Sequence, residues 1–203
     1  EYNLSVGVTA LDAVTTGDAN IAIGHDALSA NTTGSGNLAI GYGAYNNADT
    51  EGNNMAIGRD ALGGSINGGE TNIAIGNYSL DANTSGDLNI GLGYVSLTQN
   101  STGSSNVGIG NSAMQLNQTG SSNTTLGNNS MKSSLSSSYN TAVGAEALFD
   151  ANRTADTDGY NTALGYNAGN TGTNDITTGN KNTLLGASTV SYTHLRAHET
   201  HEH

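Results

Sequence analysis

The chain has 203 residues, of which 34% are hydrophobic and 5% aromatic, with no Trp, Pro or Cys. A chain this poor in large apolar side chains cannot form one thick core, so it either stays disordered or repeats a thin core many times. The formal net charge is −12 with five basic residues, which disfavours binding to nucleic acid or to anionic membrane surfaces. The lack of Cys excludes disulfides and thiolate metal sites.

A short motif, Asn-x-small-aliphatic-Gly, recurs eleven times along the chain. We number each copy from its Gly, position 0. Position 0 is occupied by Gly7, Gly24, Gly41, Gly58, Gly76, Gly93, Gly110, Gly127, Gly144, Gly165 and Gly186, and position −4 by Asn3, Asn20, Asn37, Asn54, Asn72, Asn89, Asn106, Asn123, Asn140, Asn161 and Asn182. Successive Gly residues lie 17 residues apart in seven intervals, 18 in one and 21 in the last two. Such a period indicates a repeat architecture in which each unit forms one coil.

The unit predicts a strand rather than a helix. Seventeen residues are too few for a pair of helices, and Gly, Asn, Ser and Thr are unfavourable in helix interiors. The motif alternates with period two, so positions −3 and −1 share one face of a strand and positions −4, −2 and 0 share the other. Strands stacked about 4.8 Å apart would align the Asn and Gly residues into structural ladders.

We therefore predict an all-β fold, a parallel β-roll (β-solenoid) of about eleven coils of 17–21 residues. The roll covers residues 1–190, where the repeat ends. Residues 191–203 form an aperiodic, His-rich tail, which we interpret as unstructured or as a translated artefact. No apolar stretch is long enough for a transmembrane helix, so no direct membrane insertion is expected from this segment.

The thinness of each coil predicts association between chains. One coil offers only about four apolar side chains, while ordering each residue costs about 1–2 kcal/mol, so coils must stack to fold. We expect several chains to bury a further apolar strip, most simply in a homotrimer. The alternative is a monomeric roll in which both strand faces turn inward. Position −3 changes from apolar to Thr after Val107, which indicates a more polar interior or interface in the C-terminal third.

The unit Asn-x-Ala-Ile-Gly-x-x-Ala-Leu, as in Asn20–Leu28, resembles the head repeats of YadA-like trimeric autotransporter adhesins and the repeats of phage and giant-virus tail fibres. The resemblance covers about residues 3–190. It implies a left-handed roll, three chains side by side, an extracellular location on a bacterial cell or a virion, and a host-surface glycan or protein as partner. The familiar head repeat is shorter than 17 residues, and within residues 1–203 we expect neither the membrane anchor nor the coiled-coil stalk of an autotransporter. The choice between bacterial adhesin and viral fibre stays open.

No residue set predicts catalysis, a cofactor or a metal site. The segment from Asp156 to Gly159 resembles part of a calcium loop, but Gly165 stands where a bidentate Glu is expected, so we predict an ordinary Asp-Gly turn. His194 and His198 have the spacing of ligands on one helix face, but they lie in the aperiodic tail. The expected function is therefore a non-enzymatic, structural and adhesive fibre segment that also acts as a rigid spacer.

Two surface rows suggest ligands of different kinds. Position +1 carries Tyr42, Tyr94 and Tyr166, which form either a sparse aromatic strip for a sugar or protein ligand or isolated surface residues. His25 shares this position and is predicted to be solvated. A second Gly closes most units, as at Gly17 and Gly34. The alternative function is ice binding through a Thr-rich face, since Thr recurs directly before this second Gly, although units three, four and eight break the row. The residues of that row are Thr16, Thr33, Thr102 and Thr119.

Overall fold

The computed structural model describes residues 2–65, 67–151, 158–170 and 181–189. In these residues the regular secondary structure consists of eleven strands of three residues each, without a helix. The strands are β1 (Leu4–Val6), β2 (Ile21–Ile23), β3 (Leu38–Ile40), β4 (Met55–Ile57), β5 (Ile73–Ile75), β6 (Ile90–Leu92), β7 (Val107–Ile109), β8 (Thr124–Leu126), β9 (Thr141–Val143), β10 (Thr162–Leu164) and β11 (Thr183–Leu185). They form one sheet in sequence order. The predicted all-β solenoid is confirmed, and we call the unit that carries βn coil n.

The register between strands follows the sequence repeat without a slip. Ile73 pairs in parallel with Ile90, for example. The N–H of Ile73 donates to the carbonyl of Asn89 at 2.8 Å, and the N–H of Gly93 donates back to the carbonyl of Ile75 at 2.8 Å. The register survives the longer units, because Thr162 still pairs with Thr141. The longer intervals therefore leave the pairing of the strands unchanged.

In coils 1–9 the inner side holds a thin core of small residues and one larger side chain. Position −2 is buried in every strand from β2 to β11. Position +4 supplies the larger side chain, which is Leu in most coils, Met in coils 7 and 8, and Tyr in coil 3. These buried residues are Leu11, Leu28, Tyr45, Leu62, Leu80, Leu97, Met114, Met131 and Leu148. The core is thus about one large side chain thick through coil 9, and coil 10 has Gly169 at position +4.

The outer side of the sheet carries the larger aliphatic residues of the strands. Positions −3 and −1 are half-buried or exposed in all eleven strands, as shown by Leu92 at 40% exposure and Leu126 at 49%. The roll with both strand faces turned inward is therefore not the structure of the described coils. The Thr residues at position −3 of β8–β11 are exposed, so the polar change in the C-terminal third lies on the surface and not in the interior.

In each of coils 2–10 three positions have left-handed backbone, although Gly rarely occupies them. Positions −5, +2 and +4 have φ between 47° and 61° at non-Gly residues, for example Asp60 (50°), Leu62 (49°) and Thr71 (59°). L-residues seldom adopt this backbone conformation, which costs about 1–2 kcal/mol for each residue that does. Repeated at the same positions, these residues turn the chain so that each coil has the same shape as its neighbours.

Several sequence predictions fall outside the described residues. They include the domain boundary at 190, the tail at 191–203 with its His residues, and Asp156 of the calcium-like segment. Asp158 of that segment lies within the described part and forms an isolated parallel bridge with Ser138 of the preceding coil. This pairing continues the stacking of coils beside the strands.

Candidate interaction surface

The Asn ladder ties each coil to the next and each strand to its own turn. The Oδ1 of Asn20 accepts the backbone N–H of Asn37 at 2.9 Å, and the same bond links position −4 at each of the ten steps. The Nδ2 of Asn20 donates to the carbonyl of Gly34 in the closing turn of its own coil, at 2.8 Å. At five steps Nδ2 also donates to the Oδ1 of the preceding Asn. These buried amides are structural groups, because their donors and acceptors are occupied within the roll.

The Gly ladder sets how closely the coils approach. Position 0 has φ between 118° and 146° in all eleven coils. A Cβ built on Gly93 would overlap the carbonyl oxygen of Gly110, and the same clash recurs along the ladder. Any side chain at this position would force neighbouring coils apart.

A second Asn ladder lies at position +7. The Nδ2 of Asn100 donates to the Oδ1 of Asn83 at 3.0 Å, and the Nδ2 of Asn117 donates to the Oδ1 of Asn100 at 2.7 Å. The Oδ1 atoms of Asn31 and Asn117 are buried without a partner, since the next coils carry Ala48 and Ser134 at this position. Sequence reasoning missed this ladder, although Asn recurs three residues before the second Gly.

Two Asn residues of the second ladder belong to candidate glycosylation sequons, and their burial decides whether they can be modified. Asn31 and Asn100 each head an Asn-x-Ser/Thr tripeptide. Both side chains are fully buried and donate to the carbonyl of the second Gly of their coil. In the folded roll these two amides are therefore inaccessible to a modifying enzyme.

The outward side chains at positions −3 and −1 of β1–β11 form a long, largely apolar row, which we call the outer strip. Most members are Ile, Leu or Val, joined by Met55 and by the four Thr of β8–β11. With strands about 4.8 Å apart, the strip is roughly 50 Å long. Exposed apolar side chains that adjoin one another over such a length are typical of interaction surfaces, so the outer strip is the candidate surface.

The three Tyr residues at position +1 lie in different surroundings and far apart. The ring of Tyr42 is stacked on His25, with centroids 5.2 Å apart and an interplanar angle of 10°, and the guanidinium of Arg59 lies 5.2 Å from its centroid. Both faces of this ring are thus covered. Tyr94 makes an edge contact with Tyr78 at 6.3 Å.

Tyr166 differs from the other two Tyr residues. Its neighbours at position +1 in coils 9 and 11 are Ala145 and Ala187, and 59% of the residue is exposed. The structure therefore does not bring the three residues together into one aromatic strip. Tyr166 is the one flanked by small side chains along the stack.

Position −5 carries an aromatic pair that sequence reasoning missed. The rings of Tyr139 and Tyr160, in coils 9 and 10, are stacked with centroids 4.9 Å apart and an interplanar angle of 3°. Each residue is 47% exposed. The signal available in the sequence was Tyr directly before the motif Asn in two successive units.

An internal carboxylate replaces the second Gly in coil 3. Glu51 is 5% exposed and accepts the backbone N–H groups of Thr50 (3.1 Å) and Gly68 (2.9 Å). Burial, reinforced by the charge of Glu51, raises the pKa of the Tyr45 phenol, whose oxygen accepts a hydrogen bond from Asn54. The group is enclosed by backbone donors, so it stabilises an irregular coil rather than facing a ligand.

The described residues offer no assembled metal site. Among them no group of three or more His, Cys, Asp or Glu side chains is placed to hold a metal ion. A search of the same residues for a helix long and apolar enough to cross a membrane finds none. No protein-family model, curated protein or solved structure matches the chain. Its surfaces are therefore the basis for a functional proposal.

Proposed function

We propose that the chain is a segment of a homotrimeric, non-enzymatic fibre on a bacterial or viral surface, where it acts as a rigid spacer and presents an adhesive face. The observation that carries the proposal is the outer strip, which runs without interruption through all eleven strands. The resemblance of the Asn-x-Ala-Ile-Gly unit to trimeric adhesin heads and tail-fibre repeats supports the same conclusion.

The period of the outer strip favours its burial against a second and a third copy of the chain. Its side chains repeat at the spacing of stacked strands, about 4.8 Å, and a partner with the same period can match that spacing along the whole length. The core of one coil is thin, so burying the strip adds apolar area where the chain lacks it. In a threefold arrangement three strips face one axis and the turns stay outside.

The trimer is tested by light scattering on the purified chain and on two variants. We expect a trimer for the parent chain and a folded monomer for the pair Leu92→Asp with Leu126→Asp, because charges in a buried strip cost several kcal/mol. The matched control is Gln118→Asp, at an exposed turn position, which should leave the trimer intact. A stable monomeric parent chain at micromolar concentration would contradict the proposal.

The adhesive face is proposed to lie at position +1 near Tyr166. A sugar ring stacks on an aromatic face, and the small neighbours of Tyr166 leave room for it along the stack, whereas Tyr42 is covered by His25 and Arg59. Binding to an array of surface glycans should be lost in Tyr166→Ala and retained in Tyr42→Ala. Equal loss in both variants, or binding unaffected by either, would remove Tyr166 from the adhesive face.

A second candidate function, ice binding, is favoured by one specific observation. Thr124, Thr141, Thr162 and Thr183 are paired in register on the outer side of β8–β11, and all four are exposed. A regular Thr column on a flat sheet matches a periodic solid surface such as ice. The earlier candidates before the second Gly, such as Thr33, lie in turns instead. Thermal hysteresis in cold solution, abolished by Thr141→Lys, would favour this function over adhesion.

A further inference from the structure

Tyr139 and Tyr160 form the one stacked pair of two Tyr rings among the described residues. Its ring planes are nearly parallel at 3° with centroids 4.9 Å apart, whereas Tyr78 and Tyr94 meet edge-on at 80° and 6.3 Å. Nearly half of each residue in the stacked pair is exposed. Two phenol rings are thus held together at the surface, where a small oxidant can reach both.

The backbone fixes this proximity. Both residues occupy position −5 with left-handed φ, 60° at Tyr139 and 49° at Tyr160, so their side chains leave successive coils in the same direction. The coils are held in register beside them by the bond from Asn161 N–H to Asn140 Oδ1 at 3.1 Å. The pair is therefore pre-oriented by the roll and needs no large rearrangement to react.

We propose that Tyr139 and Tyr160 form an oxidative crosslinking site that yields dityrosine when a one-electron oxidant of the peroxidase–hydrogen peroxide class is present. Each phenol loses one electron and one proton to the oxidant, and each peroxide that accepts the two hydrogen atoms becomes two waters. The two tyrosyl radicals couple through ring carbons ortho to their oxygens, forming one C–C bond. Each ortho hydrogen then moves as a proton to its own oxygen, which restores both phenols.

The crosslink would join coil 9 to coil 10 across the first 21-residue unit. The strands on either side of this unit are linked by one of the two longest connections in the roll, since only the following interval is also 21 residues. A covalent bond between residues 139 and 160 removes conformational freedom from the unfolded chain. A covalent link at this site therefore stabilises the stack across one of its longest connections.

The experiment is treatment of the full-length chain with horseradish peroxidase and hydrogen peroxide. We expect dityrosine fluorescence, an intact mass lower by two hydrogen atoms, and a single crosslinked peptide pair containing Tyr139 and Tyr160. The crosslinked chain should melt roughly 5 °C higher than the untreated chain. Tyr139→Phe and Tyr160→Phe keep the ring stack but lack a phenol, so each should abolish the crosslink while circular dichroism stays unchanged.

The other Tyr residues of the chain provide internal controls. Tyr78→Phe removes one phenol from the edge-on pair with Tyr94 and should leave the fluorescence yield unchanged. Crosslinks confined to other tyrosines, or covalent oligomers without an intrachain product on a denaturing gel, would overturn the assignment. The same conclusion would follow if Tyr139→Phe gave as much dityrosine as the parent chain.

Discussion

Coils 1–7 and coils 8–11 share one inner architecture but present different outer surfaces. In both regions position −4 is Asn and position 0 is Gly, and position −2 is buried from coil 2 onward. On the outer side, position −3 is apolar from Leu4 to Val107 and Thr from Thr124 to Thr183. The C-terminal region also contains the two 21-residue intervals without losing strand register.

The difference shows that shape and surface are specified by separate positions of the same unit. Residues at inner positions pack against the neighbouring coils, and this close packing allows little variation in side-chain size. Residues at outer positions do not pack inside the coil. Position −3 can therefore change from an aliphatic residue to Thr in four successive coils. A partner that fits the aliphatic part of the outer strip will not fit the Thr part equally well.

The largest expected effect comes from the Gly ladder, and it should be equal in the two regions. Gly110→Ala and Gly144→Ala would each place a Cβ against the carbonyl oxygen of the next coil's Gly. We expect each to lower the free energy of unfolding by about 4 kcal/mol or more, measured by denaturant titration.

Gly68→Ala is the matched control for this prediction. Gly68 also has positive φ, 105°, but a Cβ added there would have no atom within 4 Å. This variant should therefore cost only the backbone strain, about 1–2 kcal/mol. Equal costs at Gly68 and Gly110 would mean that the close approach of coils is not what requires Gly.

The next effect concerns volume compensation inside the N-terminal region. A Cβ on Gly91 would overlap Ser79 Oγ, which donates a hydrogen bond to the Gly91 carbonyl at 3.0 Å. Ser79 is at position +3 of coil 5 and Gly91 at position −2 of coil 6. One coil earlier, the same two positions are occupied by Ala61 and Ala74. Gly91→Ala alone should cost about 1–3 kcal/mol, and Ser79→Ala alone about 1 kcal/mol.

The double variant, Ser79→Ala with Gly91→Ala, recreates the Ala pair of the neighbouring coils. We expect its free energy of unfolding to return close to that of the parent chain, which gives a coupling energy of about 1–2 kcal/mol in a double-mutant cycle. Additive losses would contradict the idea that these two positions are matched in volume.

A smaller effect is expected from exchanging residues at position +2 between the regions. Val95 in coil 6 has φ of 49°, where a β-branched residue is strained, while coil 8 places Asn129 there at 55°. Because Asn tolerates this conformation better, Val95→Asn should stabilise by about 1 kcal/mol and Asn129→Val should destabilise by a similar amount. Thermal melts of both variants check the opposite signs, and two changes of the same sign would refute the explanation.

The smallest effect depends on pH and involves coil 5. Burial, and to a lesser extent the charge of Asp60, raises the pKa of the Asp81 carboxyl above its ordinary value of 3.8. The folded state then holds this proton more tightly than the unfolded state. Stability from this group is present below the unfolded pKa and is lost as pH rises through the raised folded pKa.

Asp81→Asn should therefore stabilise the roll at neutral pH and give no advantage below pH 3.8. Asp60→Asn removes only the smaller, charge-related cause and should give a weaker gain of the same sign. The measurement is the free energy of unfolding of the parent and both variants as a function of pH. A gain for Asp81→Asn that persists in acid would point to packing rather than to ionisation.

The strands, their stacking order and the coil length could be predicted from sequence, because the period fixes which residues meet. The alternation of the motif also places Ile73 and Ile75 on one face of the strand and Ala74 on the other, but it does not show which face points into the coil. Hydrophobicity alone would place the larger Ile residues inside, and the structure places Ala74 there instead. The interior of the narrow coil has room for only a small residue at position −2. This restriction comes from the way the whole coil closes on itself and not from the strand alone.

The left-handed positions and the second Asn ladder were beyond sequence reasoning for a different reason. Leu62 and Val95 disfavour positive φ, so their local preference contradicts the conformation that the stacked coils impose. The ladder at position +7 is interrupted at Ala48 and Ser134, which weakens its period. Among the candidate surface residues, position +1 was identifiable, but the covering of Tyr42 depends on His25 and Arg59 from neighbouring coils.

Each strand contacts only the strands before and after it in the sequence. Duplication or deletion of one whole unit in the gene would therefore change the length of the rod by about 4.8 Å and leave every other coil with equivalent neighbours. The length of the solenoid can then change in discrete steps, independently of the residues that any coil exposes. Insertions outside the strands, such as the extra residues of the longer units, are tolerated for the same reason.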